Sequence, residues 1–259
     1  MTGAGVVSED RELQVREGEG CYVYGIVPAD ASNVGLEGLD GAEVCLVRQG
    51  PVAAIVSVVH LERSAGRRDE LLAHSRVLDA FAAAGPVVPV QFGAIVEDER
   101  AVREDVLADR EQQFVELLAE LSGVLQFTLQ ARYDEATVLA ELVRDDPEIA
   151  GLREATRDAP EDQSYADRVR LGELVSQRLE SRRQTDEQTL LDALEPHVMG
   201  HRVRPGASID HLADLALLVD EEQREAFENA AEQLAADLHE RARVRLMGPM
   251  APYDFVGEE

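Results

Sequence analysis

The sequence has no lysine and no tryptophan, and its 259 residues include only two cysteines. Aromatic residues make up 4% of the chain, and no apolar run approaches the ~20 residues that a membrane-spanning helix requires. The first twenty residues carry acidic side chains where a secretory signal needs a basic start and an apolar core. These absences predict a cytoplasmic protein that does not enter a membrane. In that compartment we expect Cys21 and Cys45 to be buried, reduced thiols rather than a disulfide.

Acidic residues dominate the charge of the chain. There are 52 Asp and Glu residues against 25 basic ones, all arginine, which gives a net charge of −27. Nucleic acids and anionic membrane surfaces are recognised through clustered cations, so this charge disfavours both as partners. Two interpretations stay open: a surface that resists self-association, or one that keeps an aggregation-prone partner in solution.

Residue patterns predict an α+β protein of two domains. Residues 1–19 lack periodicity and are predicted to be flexible, and an N-terminal α+β domain follows over residues 20–122. Pro89 indicates that the last strand of this domain is short, interrupted or at an edge. The predicted elements are strand 21–27, hairpin strands 43–48 and 52–59, helix 69–84, strand region 87–96 and one long helix over 97–121.

The second predicted domain spans residues 123–247. Its elements run strand, helix, strand, strand, helix, strand, which is the ferredoxin-like arrangement, with a helical insertion at about 134–196. Within that insertion, Thr185-Asp186 indicates a break in a long helix. The last strand is expected to stop at Gly248.

An extended tail, residues 248–259, follows that strand. Pro249 and Pro252 restrict the backbone, and Tyr253 and Phe255 are apolar residues that a solvated acidic tail does not need. The tail is interpreted either as a strap packed back on the body or as an apolar contact offered to a partner.

No strong catalytic, cofactor or metal motif is present. His197 and His201 are four residues apart, but Pro196 and Gly200 break the helix that would align them on a metal. Adjacent carboxylates such as Asp145-Asp146 stand at helix ends, where acidic residues favour the helix dipole. We therefore expect no enzymatic activity and no cofactor. The alternatives left open are an enzyme of unknown type with an acidic cleft, and a ferredoxin-like module that binds a regulatory ligand.

Four motifs occur in an order and spacing that resemble the gas vesicle accessory proteins of the GvpF/GvpL family. They cover residues 21–256 and comprise an opening strand, a helix leading to Val-Pro-Val-Gln-Phe-Gly, the next helix over 97–107, and the terminal Gly-Pro-Met-Ala-Pro-Tyr-Asp-Phe-Val. The motif residues predicted to have structural or interface roles are Tyr22, Tyr24, Gly25, His74, Pro89, Gln91, Phe92, Gly93, Pro249, Pro252, Tyr253 and Phe255. Two positions depart from the family pattern. The family usually has Arg where this chain has Gln91, and Trp where it has Met250.

The resemblance implies a non-enzymatic role at the gas vesicle. Family members are expected to be two-domain α+β proteins that bind the small hydrophobic shell subunit of the GvpA type and other accessory gas vesicle proteins. Such binding would prevent aggregation of the subunit and support nucleation of the vesicle. An exposed sheet edge or apolar surface would be a suitable place for that contact.

Overall fold

The computed structural model describes residues 13–62, 68–206 and 208–256. The chain divides into two compact units: unit 1 comprises Met1–Leu125 with Pro249–Glu259, and unit 2 comprises Gln126–Gly248. Most of the segment predicted to be flexible, residues 1–12, lies outside the described residues, as do residues 257–259 at the end of the tail. The predicted α+β class is confirmed, because each unit combines one antiparallel sheet with helices.

Unit 1 is built on a five-stranded sheet. Its strands are β1 (Glu19–Pro28), β2 (Cys45–Gln49), β3 (Val52–His60), β4 (Val88–Pro89) and β5 (Ile95–Val96). The order is β2-β3-β1-β4, with β5 also paired to β1, so the predicted hairpin and the interrupted strand at Pro89 are both confirmed. Gly50 closes the hairpin at φ +56°, a conformation that glycine adopts without strain.

Strand β1 contains a β-bulge at Tyr24. Val23 pairs with Val56 and Gly25 with Ile55, so Tyr24 is the extra residue between two consecutive pairs. Side chains alternate between the two faces of a sheet, so one extra residue moves all later side chains of the strand to the opposite face. Tyr22 and Val27 therefore face one hydrophobic core of unit 1, and Val23 and Ile26 face the other.

One of these cores lies under helix α1 (Arg68–Ala82), which contributes Val77, Leu78 and Phe81. The other lies under the helical stretch that follows β5 and contains Phe114 and Leu118. The sheet is thus covered by helices on both faces, which explains the nearly continuous apolar sequence of β3.

The long helix predicted over 97–121 is wrong in detail. The chain forms a short helix α2 (Glu99–Ala101), a π-helix (Val102–Leu107), a 3-10 turn (Ala108–Arg110) and helix α3 (Glu111–Glu120). Val102 and Leu107 are both fully buried. Residues five apart point about 140° away from each other on an α-helix, and the wider π turn brings both side chains to the core.

Both cysteines lie in unit 1 as free thiols, Cys21 buried in β1 and Cys45 half-buried in β2. Burial, with further contributions from Glu99 and Asp98, raises the pKa of Cys21 to about 11. Cys45 is less buried than the sequence predicts.

Unit 2 contains a four-stranded sheet in the order β7-β8-β6-β9. The strands are β6 (Val124–Tyr133), β7 (Gly200–Val203), β8 (His211–Asp220) and β9 (Ala242–Met250), and β7 pairs antiparallel with β8. Phe127 of β6 packs on Phe227 of helix α7 (Arg224–Leu238), with ring centroids 5.0 Å apart. Gln126 and Thr128, on the polar face of β6, are also buried.

Between β6 and β7 lie helices α4 (Glu135–Asp145), α5 (Pro147–Arg157) and α6 (Glu161–Leu194). The break expected at Thr185-Asp186 is wrong, because α6 is continuous over 34 residues. The hydroxyl of Thr185 donates to the Ser181 carbonyl one turn earlier, while Asp186 accepts a hydrogen bond from Tyr133 at 2.6 Å. These side chains satisfy their polar groups without interrupting the helix.

Strand β9 continues past the predicted stop at Gly248 and ends at Met250. Gly248 adopts φ +134°, and a Cβ there would lie 2.8 Å from Cδ1 of Phe127. Glycine therefore serves a close approach within the sheet rather than the end of the strand.

Candidate functional site

An aromatic cluster joins four segments of unit 1. Tyr22 and Tyr24 of β1 lie with ring centroids 4.8 Å apart, and His74 of α1 stacks on Tyr24 at 5.6 Å. Phe92, in the loop after β4, meets the His74 ring edge-on at 5.5 Å, and Tyr253 of the tail lies 6.3 Å from it. Such ring contacts contribute about 0.5–1.5 kcal/mol each beyond area burial. The opening strand, the first helix, the Phe92 loop and the tail thus meet around His74.

Hydrogen bonds fix the centre of this cluster. The hydroxyl oxygen of Tyr22 accepts from the backbone N–H of Gly93 at 3.0 Å and lies 2.8 Å from Nδ1 of His74. Which group donates in the bond between Tyr22 and Nδ1 depends on the tautomer of His74.

Burial keeps His74 neutral over a wide pH range. The side chain is 1% exposed, and desolvation lowers its pKa to about 4, although the backbone of Val90 acts in the opposite direction. Among the described residues, no Ser, Cys or Thr side chain hydrogen-bonds to the His74 ring.

Tyr24 ties a second loop to the sheet. Its hydroxyl donates to Oγ of Ser57 at 3.2 Å and accepts from the backbone N–H of Leu39 at 2.8 Å. A Cβ at Gly38 would lie 2.1 Å from that hydroxyl, so only glycine fits at this position. Gly25 allows α1 to pack closely on the sheet. A Cβ at this position would lie 2.6 Å from Cδ2 of Leu78 and would hold α1 away from the sheet.

The tail packs on unit 1 beside α1. Ala251 is fully buried, and its backbone N–H donates to Oδ1 of Asp79 at 3.0 Å. Pro252 is buried, Tyr253 packs against the core under α1, and Val256 packs against the opposite core. Burial raises the pKa of Tyr253, although the Ser75 side chain acts in the opposite direction.

A groove of about 860 Å³ opens beside the aromatic cluster. One wall is α1 and another is the chain that follows it through β4. The remaining walls are one face of the 110–117 helical stretch and the tail. Its lining residues are Leu71, His74, Ser75, residues 88–92, Ala94, Arg110, Gln113, Phe114, Leu117, Tyr253 and Val256.

The charge of this groove differs from that of the molecule. Of 259 residues 52 are acidic, so fifteen lining positions would hold about three carboxylates at the average of the chain, and this lining holds none. Its single permanent charge is Arg110, whose guanidinium lies 5.3 Å from the ring of Phe114. The groove is therefore an apolar surface with one cation in a strongly acidic protein.

The residues predicted from sequence divide into three sets. Pro89, Gln91, Phe92, Tyr253 and His74 line the groove. Tyr22, Tyr24, Gly25 and Gly93 hold the segments that form its walls. Pro249, Pro252 and Phe255 belong to the tail and do not line the groove.

Sequence reasoning missed Leu71, Arg110, Gln113 and the groove-facing role of Phe114 and Leu117. A signal for part of this set exists, since Gln113, Phe114 and Leu117 lie on one face of a predicted helix. By its apolar stripe alone, that helix indicates core packing for Phe114 and Leu117.

Unit 2 has a polar cavity of about 460 Å³, lined by Glu141, Arg144, Arg182, Thr185, Asp186 and Arg241. Here the carboxylates are matched by arginines: Glu141 binds Arg182 at 2.8 Å, and Asp186 binds Arg241 at 3.0 Å. Burial and the neighbouring Asp186 raise the pKa of Tyr133. This arrangement is a half-buried ion-pair network linking helices to the sheet of unit 2.

Within residues 13–62, 68–206 and 208–256, no three His, Cys, Asp or Glu side chains are grouped so that they could hold a metal ion. His197 lies in a 3-10 turn (Glu195–His197) and His201 in β7. No helix in the described part of the chain is long and apolar enough to span a bilayer.

The profile of the family described as "Gas vesicle synthesis protein GvpL/GvpF" matches residues 20–257. The chain belongs to the GvpL/GvpF family. Among its relatives, gas vesicle protein F of Streptomyces sp. (strain CB03234) is 34% identical over 240 residues, covering 91% of this chain and 98% of the relative. Gas vesicle protein L1 of Halobacterium salinarum is 22% identical over 254 residues, covering 91% and 90% of the two chains.

Crystal structures of GvpL/GvpF family members show the same fold. GvpF from Microcystis aeruginosa aligns with a TM-score of 0.76 and 24% identity, covering 92% of this chain and 99% of that one. GvpF from Anabaena sp. PCC7120 aligns with a TM-score of 0.74 and 23% identity, covering 93% and 97%. The resemblance drawn from the four motifs is thereby confirmed, and the chain is a gas vesicle accessory protein of this family.

Proposed function

We propose that this protein binds the hydrophobic, GvpA-type shell subunit together with other accessory gas vesicle proteins, keeps the subunit from aggregating and supports nucleation of the vesicle. Membership of the GvpL/GvpF family places the protein in gas vesicle synthesis and implies contact with other gas vesicle proteins. The observation that carries the binding function is the carboxylate-free apolar groove of unit 1. In this proposal the protein acts at the gas vesicle, within the cytoplasm, and catalyses no reaction.

The acidic surface supports the solubilising part of the proposal. A net charge of −27 repels other copies of the complex and opposes precipitation. Binding in an apolar groove removes apolar surface of the client from water. This burial stabilises the complex by roughly 25 cal/mol for each Å² of apolar surface. The two properties together favour a soluble complex over client aggregates.

We propose interface or supporting roles for the motif residues in the two sets described above. Pro89, Gln91, Phe92 and Tyr253 would contact the client, while Tyr22 and His74 would hold the walls in place. Gln91 is exposed at the groove and carries an amide where the family usually has a guanidinium, so this chain offers a hydrogen-bonding group there rather than a cation.

We further propose that unit 2 is a ferredoxin-like domain with a helical insertion. The order β7-β8-β6-β9 supports this, since numbered within the unit it reads 2-3-1-4 with two helical crossovers. Unit 2 would occupy residues 126–248, close to the domain predicted over 123–247.

Co-expression with the shell subunit tests the proposal. The soluble fraction of the subunit is expected to rise, and an affinity tag on this chain is expected to recover the subunit. An unrelated acidic protein of similar size is the control for a general charge effect. If the subunit stays insoluble and does not co-purify, the proposed function is wrong.

A further inference from the structure

We infer that the groove of unit 1 binds an amphipathic helix of the partner, with leucine-type side chains entering the groove and a carboxylate facing Arg110. The inference rests on the proposed function for the source of that helix, the gas vesicle shell subunit. It adds the binding site, the secondary structure of the bound segment and the charge that the segment must carry.

Apolar side chains form the walls and floor of the groove. Leu71 of α1 is 51% exposed, although Glu70 and His74 near it are buried. Phe114 is buried at the opposite wall, and Leu117 and Val256 are half-buried beside it. An apolar groove without carboxylates is typical of sites that bind another polypeptide.

The edge of the sheet beside the groove does not suit an added strand. Strands β4 (Val88–Pro89) and β5 (Ile95–Val96) form that edge, and each is only two residues long. Pro89 has no N–H to donate, and proline at a sheet edge prevents pairing with another strand. A bound segment must therefore satisfy its own backbone groups, as a helix does.

The wall formed by residues 110–117 is suited to a helix. Gln113, Phe114 and Leu117 lie on one face of α3, and Arg110 is the N-cap residue of that helix. Together they form a ridge against which a second helix packs. An apolar cavity of about 150 Å³ holds a benzene-sized group. A groove of about 860 Å³ therefore accommodates several apolar side chains of one helix face.

Arg110 defines the charge of the partner. It is exposed and makes no ion pair with the described carboxylates, in contrast to Arg100, which pairs with Glu104 at 3.3 Å. Its guanidinium is positioned by the Phe114 ring, and no acidic residue lines the groove around it. A carboxylate on the rim of the bound helix would form a charge-assisted hydrogen bond with Arg110.

The test uses overlapping 20-residue fluorescent peptides that tile the shell subunit, titrated with the full-length protein and followed by anisotropy. One region is expected to bind, to gain helical circular dichroism on binding, and to carry apolar residues at i, i+3, i+4 and i+7 with an adjacent Asp or Glu. Leu71→Gln is expected to weaken binding about tenfold. Leu72→Gln is the matched control, because Leu72 is the next residue, is 57% exposed and lies outside the groove.

A second comparison tests the charge. Arg110→Gln in the protein, and the acid-to-amide change in the bound peptide, are each expected to weaken binding about three- to tenfold, and the two together no further. Arg100→Gln makes the same change in net charge outside the groove and is expected to leave binding unchanged. If Arg110→Gln and Arg100→Gln weaken binding equally, the bound helix does not place a carboxylate against Arg110.

The outcomes separate this inference from the proposed function. If the full-length protein captures the subunit but Leu71→Gln and Leu72→Gln behave alike, the groove is not the site and the proposed function stands. If the subunit is not captured at all, the proposed function fails. The groove is then tested with a designed 18-residue amphipathic peptide of Leu and Glu. The inference is overturned if this peptide does not bind saturably, or if its binding does not depend on Leu71.

Discussion

The backbone N–H of Ala251 donates a hydrogen bond to Oδ1 of Asp79 at 3.0 Å, joining residues 172 positions apart. Ala251 is fully buried, so its N–H has no access to water. Burial raises the pKa of Asp79, while the bond from Ala251 lowers it. This contact attaches the tail to helix α1 next to the aromatic cluster and the groove.

Asp79→Ala should destabilise the protein by roughly 1–3 kcal/mol, because it leaves the buried N–H of Ala251 without an acceptor. Asp79→Asn keeps an acceptor oxygen and removes a half-buried charge, so its effect should be clearly smaller. Urea unfolding followed by circular dichroism measures both. Equal destabilisation by the two variants would mean that the hydrogen bond to Ala251 does not stabilise the tail.

Deleting residues 249–259 should expose the apolar surfaces that Ala251, Tyr253 and Val256 cover. We expect a lower unfolding midpoint, increased binding of the dye ANS and loss of client binding. A protein lacking only residues 257–259 is the control, because it keeps all three of those side chains. Unchanged stability and client binding after the longer deletion would show that the tail contributes to neither.

Acid should weaken the native state through His74. Its folded pKa is about 4 and its usual value is 6.5, so the unfolded chain binds a proton in this window before the native protein does. The contribution of neutral His74 to the free energy of unfolding is therefore complete above pH 6.5 and is lost as the pH falls to 4. The loss is roughly 3 kcal/mol, because one pKa unit corresponds to 1.36 kcal/mol.

The measurement is urea unfolding of the wild type and His74→Gln at several pH values between 7 and 4. Carboxylates titrate in both proteins and cancel in the difference. The stability advantage of the wild type should shrink as the pH falls. A constant difference across this range would rule out the neutral, buried state of His74.

Gly38→Ala should destabilise by roughly 1–3 kcal/mol, because the added methyl group would meet the Tyr24 hydroxyl at 2.1 Å. Thermal unfolding measures the effect. Gly85→Ala is the matched control, since nothing lies within 4 Å of a Cβ there and its φ is not positive. Adding Tyr24→Phe to Gly38→Ala should recover part of the loss; no recovery would place the clash elsewhere.

Strands and turns of this fold were largely predictable, whereas their irregularities were not. The hairpin of β2 and β3 is specified locally by apolar runs around Gln49-Gly50-Pro51, and the interruption at Pro89 follows from the missing N–H of proline. The bulge at Tyr24 and the π-helix at Val102–Leu107 depend on partners distant in sequence. Local periodicity carries no information about such partners.

The groove was only half predictable for the same reason. Motif order singled out Pro89, Phe92 and Tyr253, but the contribution of Leu71 and Arg110 arises when α1 and the 110–117 face meet the tail in three dimensions. Leu71 and Leu72 are indistinguishable in sequence as neighbouring leucines of one helix. Only the packing of α1 assigns one of them to the groove.

Unit 1 is assembled from two stretches of chain separated by the whole of unit 2. Tyr253 and Val256, which complete one side of the groove, are translated after residues 126–248 have been made. A nascent chain on the ribosome, which emerges N-terminal end first, therefore lacks a complete groove until residues 253–256 have been made. In the proposed function, the order of synthesis would keep half-made copies from binding hydrophobic polypeptides.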